Sequence, residues 1–205
     1  GGHKWGGYAG DAYGAYRDFP VNEVTAKHIL DRHPDSVLEL GCGRGYILKR
    51  IQDKGIKAEG LEISKHCHMT RVCEGITNLD ICESPWPGTG YDLCYSIATL
   101  EHIPDVYLPH VIGEMQRVSQ RGLHGIDFGT KDDGFDKSHC TLKPRKWWLQ
   151  QFAVHAPGWP VEILDKEDLE RGEFPEAVIK SDGKTKLNLG SFSTMYHNGW
   201  INLDR

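Results

Sequence analysis

Residues 36–51 read SVLELGCGRGYILKRI, an apolar run that passes into a helix-like stretch through glycines at 41, 43 and 45. A short apolar run bounded by turn residues makes a buried strand, and the stretch after it carries apolar residues at helical spacing. Glycine at the handover permits positive φ and lets a ligand approach the backbone with no Cβ in the way. One strand–glycine–helix step cannot bury both of its faces alone, so the chain needs further steps beside it.

The rest of the sequence supplies them. Val21 to His33 is helical, with Val24, His28 and Ile29 sharing a face, and Pro34 ends it. Strands are expected at 36–40, 57–64, 76–81, 91–98, 122–129, 159–164 and 189–200. Helices are expected at 46–54, 65–74, the second half of 104–119, and 143–155. Strands alternating with helices at this spacing imply βαβ crossovers and a mostly parallel, doubly wound α/β sheet. With 205 residues the chain suits one domain, 21–205. Residues 1–20 are glycine-rich and carry Trp5, Tyr8, Tyr13, Tyr16 and Phe19, which reads as a flexible arm or lid. Residues 165–186 are charged with little apolar periodicity and read as an insertion.

A net charge of −5, from 24 basic and 29 acidic residues, argues against a phosphate-backbone binder, so no nucleic-acid partner is expected. No apolar run approaches the roughly 18 residues of a membrane helix, so no membrane partner is expected either. The cysteines at 42, 67, 73, 82, 94 and 140 show no paired short spacing and read as reduced thiols of a cytoplasmic protein. His66, Cys67, His68 and Cys73 are not assigned a metal, because adjacent helical residues diverge and no second ligand pair follows.

The first strand-to-helix turn of such a sheet is where nucleotide-like ligands sit, against a helix N-terminus. A dinucleotide site has the spacing G-x-G-x-x-G, and the third glycine would fall at Tyr46. The spacing present is E-x-G-x-G-x-G, from Glu39 through Gly41, Cys42 and Gly43 to Gly45. Glu62, 19 residues beyond Gly43, ends the second strand, where a carboxylate accepts both hydroxyls of a ribose. Glu39 beside the loop repels a pyrophosphate and attracts a cation. A nucleoside joined to an ammonium-bearing amino acid satisfies these constraints better than NAD does.

These residues resemble motif I of the class I S-adenosylmethionine-dependent methyltransferases. Asp80-Ile81 resembles the element that meets the adenine amino group. YDLCYSIATLEHIP (91–104) resembles the fourth strand and Leu-Glu-His stretch of the small-molecule, type 11-like branch. The likeness covers roughly residues 36–128, with weaker similarity around DKSH and KPRKWW. It implies a Rossmann-like, seven-stranded sheet whose last strand runs antiparallel, and S-adenosyl-L-methionine as cofactor. It further implies that Glu39, Gly41, Cys42 and Gly43 line the methionine portion and that Glu62 holds the ribose. Ile63 would pack on the adenine, Asp80 and Ile81 would meet its edge, and Tyr95 or Ser96 would lie near the methionine end.

Methyl transfer from a sulfonium is an in-line displacement that needs a base only when the acceptor must lose a proton. His102, just beyond the fourth strand, and His139, with Asp136 three residues earlier, are the candidate catalytic residues. Asp127, Asp132, Asp133 and Asp136 form an acidic group of the kind that orients a diol through a cation, but solvated loop carboxylates are the simpler reading and no metal is assigned. Trp147 and Trp148 are core or substrate-wall residues. The reading is methyl transfer to oxygen or nitrogen of a small-molecule acceptor, with the oligomeric state left open. The alternatives are a non-catalytic S-adenosylmethionine-binding regulatory protein and a methyltransferase for protein or tRNA; Tyr46 disfavours a nucleotide-linked oxidoreductase.

Overall fold

A computed structural model describes residues 17–83, 85–129 and 138–165, together with the short strands 178–179, 186–187 and 201–202. Six parallel strands form its centre: β1 (Ser36–Leu40), β2 (Lys57–Glu62), β3 (Ile76–Asn78), β4 (Tyr91–Ile97), β5 (Ser119–Ile126) and β6 (Val161–Asp165). They lie in the order β3-β2-β1-β4-β5-β6. Five helices accompany them: α1 (Pro20–Leu30), α2 (Tyr46–Gln52), α3 (Lys65–Met69), α4 (Leu108–Val118) and α5 (Arg145–His155). Val178–Ile179 pairs antiparallel with the start of β6. Lys186–Leu187 and Ile201–Asn202 pair with each other.

The sheet is covered on both faces, and the strands' period of two decides which side chain goes where. From β1, Val37 joins Ala26 and Ile29 of α1, Leu48 and Ile51 of α2, and Tyr95 of β4. Its neighbours Leu38 and Leu40 join Val111, Ile112 and Met115 of α4 and Trp148 and Phe152 of α5 on the opposite face. The buried face of α1 is Thr25, Ala26 and Ile29, one step round from the expected Val24, His28 and Ile29. Trp148 is core, and Trp147 packs against the core's edge.

Several elements end earlier than their apolar patterns suggest, and side chains account for it. Helix α1 stops at Leu30, where Arg32 turns back to donate to the His28 carbonyl at 2.7 Å and pairs with Glu162 of β6. Helix α3 stops at Met69, beyond which Val72 N–H bonds the Arg44 carbonyl at 2.9 Å and draws the chain toward the glycine loop. Strand β3 stops at Asn78, whose amide donates to the carbonyls of Glu62 and Ile63 at 2.7 and 3.0 Å. Asp80 and Ile81 therefore lie in the turn after β3 and do not end the strand. The expected strand at 189–200, the arm except its last residues, and most of the 165–186 insertion lie outside the described residues.

Candidate functional site

Strand order reverses between β1 and β4, so the crevice of a doubly wound sheet opens at the carboxyl ends of those two strands. The β1–α2 loop lines it. Gly41, Gly43 and Gly45 take φ of 66, 55 and 82°, a left-handed conformation that side-chain-bearing residues resist. Gly41 is also pressed: a Cβ there would lie 2.6 Å from the Thr99 hydroxyl oxygen. That hydroxyl is fixed by the carbonyls of Leu40 and Ile97 at 3.1 and 3.0 Å, so it locks the end of β4 onto the loop.

Two carboxylates stand behind the loop. One Glu62 oxygen accepts from Gly43 N–H at 2.7 Å and the other from Ser64 N–H at 2.6 Å. Glu62 thus ties the glycine loop to the end of β2. A carboxylate offers about four lone-pair sites, so these two bonds leave capacity for two hydroxyls. Burial raises the Glu62 pKa, partly opposed by the Ser64 and Gly43 amides. Glu39 is more enclosed, with 4% of its surface exposed. It accepts from the Tyr95 hydroxyl at 2.8 Å. Burial lifts its pKa to about 8, against the Tyr95 hydrogen bond, with a smaller push from the charge of Glu62. The Tyr95 phenol is itself pushed well up by burial and the adjacent carboxylate.

The other expected cofactor-side residues are distributed unevenly. Ile63, 46% exposed, presents an apolar surface immediately after Glu62. Cys42 reaches the crevice through its backbone only: its side chain packs inward with Ile47 and Leu48, and burial holds its thiol protonated. Asp80 accepts from the Cys82 N–H at 2.9 Å, a turn-closing role. The Ile81 side chain belongs to the core, and its carbonyl takes the Trp86 indole N–H at 2.9 Å. Ser96 lies on the opposite face from Tyr95, hydrogen-bonded to Nδ1 of His124 at 2.8 Å. Complete burial lowers the His124 pKa to about 3, so the imidazole is neutral.

Beyond β4 the chain makes a sharp turn. Ala98 takes φ of 48°, unusual for a residue with a Cβ, and the chain then runs through a single 3-10 turn, Leu100–His102. The segment after β5 folds back onto this turn. Cys140 and Thr141 N–H groups both bond the Glu101 carbonyl, at 3.0 and 2.9 Å, and the Thr141 hydroxyl bonds the Ile103 carbonyl at 2.6 Å. Consequently the two expected catalytic histidines meet, with the ring centroids of His102 and His139 4.6 Å apart. His102 Nδ1 lies 2.9 Å from the Ser138 hydroxyl. Asp136 lies outside the described residues; the carboxylate found facing His139 Nδ1, at 3.9 Å, is Asp127 of the acidic group. Thr99, Glu101 and Ser138 were given no site role from sequence, although Glu101 is the middle residue of the Leu-Glu-His stretch and Ser138 lies in DKSH.

The family model described as a methyltransferase domain matches residues 12–152. The chain belongs to that family. Among curated relatives, this methyltransferase domain is 25% identical over 199 residues to a protein from Oryza sativa subsp. japonica named probable tocopherol O-methyltransferase, chloroplastic, covering 83% of this chain and 53% of that one. It is 25% identical over 175 residues to ajmaline N-methyltransferase of Rauvolfia serpentina, covering 73% and 60%. A sterol 4-C-methyltransferase of Caenorhabditis elegans is 27% identical over 157 residues, covering 65% and 46%. The chain thus spans about half the length of the curated relatives it matches. Its fold is similar to that of the YcgJ protein of Bacillus subtilis, with a TM-score of 0.53, 18% identity, and coverage of 74% and 76%. A SAM-dependent methyltransferase from Archaeoglobus fulgidus gives a TM-score of 0.52 at 17% identity, covering 69% and 70%.

S-adenosyl-L-methionine is the cofactor of the domain, and the crevice suits it. The left-handed loop offers bare backbone where a Cβ would intrude. The buried Glu39 favours a cationic head group over a pyrophosphate, and Ile63 offers a face for a base.

Proposed function

We propose that the domain transfers a methyl group from S-adenosyl-L-methionine to an oxygen or nitrogen of a small-molecule acceptor. The observation that carries this reading is the imidazole pair: His102 on the turn that follows Thr99, whose hydroxyl is tied to Leu40 at the end of β1, and His139 on the segment docked against it. The pair thereby stands beside the methionine end of the crevice, where an acceptor must lie to be in line with the sulfonium. Bound cofactor supplies an electrophilic methyl on a good leaving group, and the protein's task is placement and exclusion of water.

In this reading Glu39 faces the ammonium of the methionine portion and Tyr95 holds that carboxylate in place. Gly41, Cys42 and Gly43 contribute backbone, Glu62 contributes its remaining lone pairs to the ribose, and Ile63 stacks on adenine. Asp80 and the backbone of Ile81 border the adenine edge. The imidazole pair relieves the acceptor of its proton, with Asp127 and Asp136 the carboxylates available to orient His139. The 1–20 arm closes over the donor and the 165–186 insertion completes the acceptor pocket. The antiparallel pairing of Val178–Ile179 with β6 supports a sheet completed by a seventh, antiparallel strand. No helix among the described residues is long and apolar enough to cross a membrane.

The test is turnover with a panel of phenolic, hydroxylated and amine acceptors, following S-adenosylhomocysteine release. The His139→Ala variant is expected to lower kcat by about 100-fold or more while leaving S-adenosylhomocysteine affinity within about twofold. Wild-type turnover in that variant removes His139 from the reaction.

A further inference from the structure

Glu101, His102 and His139 converge more closely than a single proton acceptor requires. One ligating atom from each lies within 4.8 Å of those of the other two. Glu101 is fully buried, and one of its carboxylate oxygens accepts from the Asp127 N–H at 3.3 Å. The two chain segments that bring the three together are docked by the Cys140, Thr141 and Glu101 backbone bonds, so the grouping belongs to the fold and does not depend on a chance rotamer.

We propose that Glu101, His102 and His139 form a divalent cation site with open positions facing the acceptor side of the crevice. Metal–nitrogen and metal–oxygen bonds of about 2.0–2.2 Å place neighbouring ligands about 3 Å apart, so modest side-chain rotation closes the set around an ion. Outer partners of the usual kind are already present. Ser138 engages Nδ1 of His102 at 2.9 Å, which leaves Nε2 of that ring to ligate, and Asp127 lies 3.9 Å from Nδ1 of His139. Two imidazoles and one carboxylate suit zinc, manganese or ferrous iron; magnesium and calcium prefer all-oxygen sites.

The use of such an ion rests on the methyl-transfer reading. A cation there acidifies an acceptor hydroxyl, so that with the ion bound the imidazoles relieve the acceptor of its proton by way of the ion. The hydroxyl proton leaves to solvent, the oxygen lone pair forms the new C–O bond, and the C–S bonding pair returns to sulfur. The open positions favour an acceptor with two neighbouring oxygen donors, such as vicinal hydroxyls or a hydroxyl beside a carbonyl.

The experiment is titration of the full chain, freed of metal with EDTA, with Co²⁺ by visible absorption and with Zn²⁺ and Mn²⁺ by calorimetry. The expected result is saturable binding of one equivalent of at least one of these ions, weakened at least tenfold in His102→Ala and in His139→Asn. Cys140→Ser is expected to leave it unchanged, which separates this site from adventitious thiolate binding. His139→Asn keeps a polar side chain in place of the ring, so it remains informative if His102→Ala fails to fold, and melting curves of each variant check this. Absence of one-equivalent binding for all three ions, or unchanged affinity in the folded histidine variants, overturns the site. A parallel S-adenosylhomocysteine titration in EDTA reads the methyl-transfer reading separately, so either can fail alone.

Discussion

Glu39 and Glu62 share one crevice but differ in how they are held, and the difference has measurable consequences. Glu39 rises to about 8 from the ordinary 4.5, chiefly through burial. An acid raised in the folded state keeps a proton that the unfolded chain has already lost, so this residue makes stability fall as pH climbs from about 4.5 to about 8, and level off above. Glu39→Gln is expected to flatten that slope in urea melts taken across the same range. A bound ammonium reverses the preference and draws the proton off. Cofactor affinity should therefore rise with pH toward about 8, by at most tenfold per unit, and lose that dependence in Glu39→Gln; a variant that keeps it would place the titrating group elsewhere. Glu62 acts differently, since both oxygens already hold backbone N–H groups. Glu62→Ala should cost about 1–3 kcal/mol of S-adenosylhomocysteine binding by calorimetry. Glu62→Gln should recover little of it, because an amide NH₂ set against Gly43 or Ser64 N–H cannot accept. Full recovery would mean that the loop does not depend on this bridge.

At the scale of elements, the β1–α2 handover was legible because everything it needs is local: an apolar run, glycines at the left-handed positions, and a helical stretch. Glu62 was legible for the same reason, being the last residue of a readable strand. The meeting of His102 with His139 was not. It depends on three hydrogen bonds from residues 140 and 141 to 101 and 103, which no periodicity encodes. Asp80 and Ile81 were misplaced because an Asn78 side chain, and not a break in the apolar pattern, ends β3. The handover also makes a graded prediction. Gly41 and Gly55 have φ of 66 and 80°, but a Cβ at 41 meets the fixed Thr99 hydroxyl whereas one at 55 meets nothing within 4 Å. Gly55→Ala should cost about 1 kcal/mol from backbone conformation alone. Gly41→Ala should cost about 1–3 kcal/mol more in the same melts; equal costs would contradict the clamp.

For the whole molecule, the parallel sheet and its two apolar layers place the glycine loop at the carboxyl end of β1, where strand order reverses, with Glu62 tied to it from the end of β2. The relatives similar to this chain are named for oxygen, nitrogen and carbon methylation, so the acceptor proposed here is to be sought through what surrounds the crevice. Among the described residues those surroundings include 101–103 and 138–141, which dock on each other. The proposal's central claim is narrower: a glycine loop backed by a buried acid suits an adenosyl amino acid better than a diphosphate. Calorimetric titration with S-adenosylhomocysteine, beside NAD under the same conditions, tests this most directly. The account predicts one-to-one binding of the former and none of the latter; saturable NAD binding, or no heat from S-adenosylhomocysteine, would contradict it.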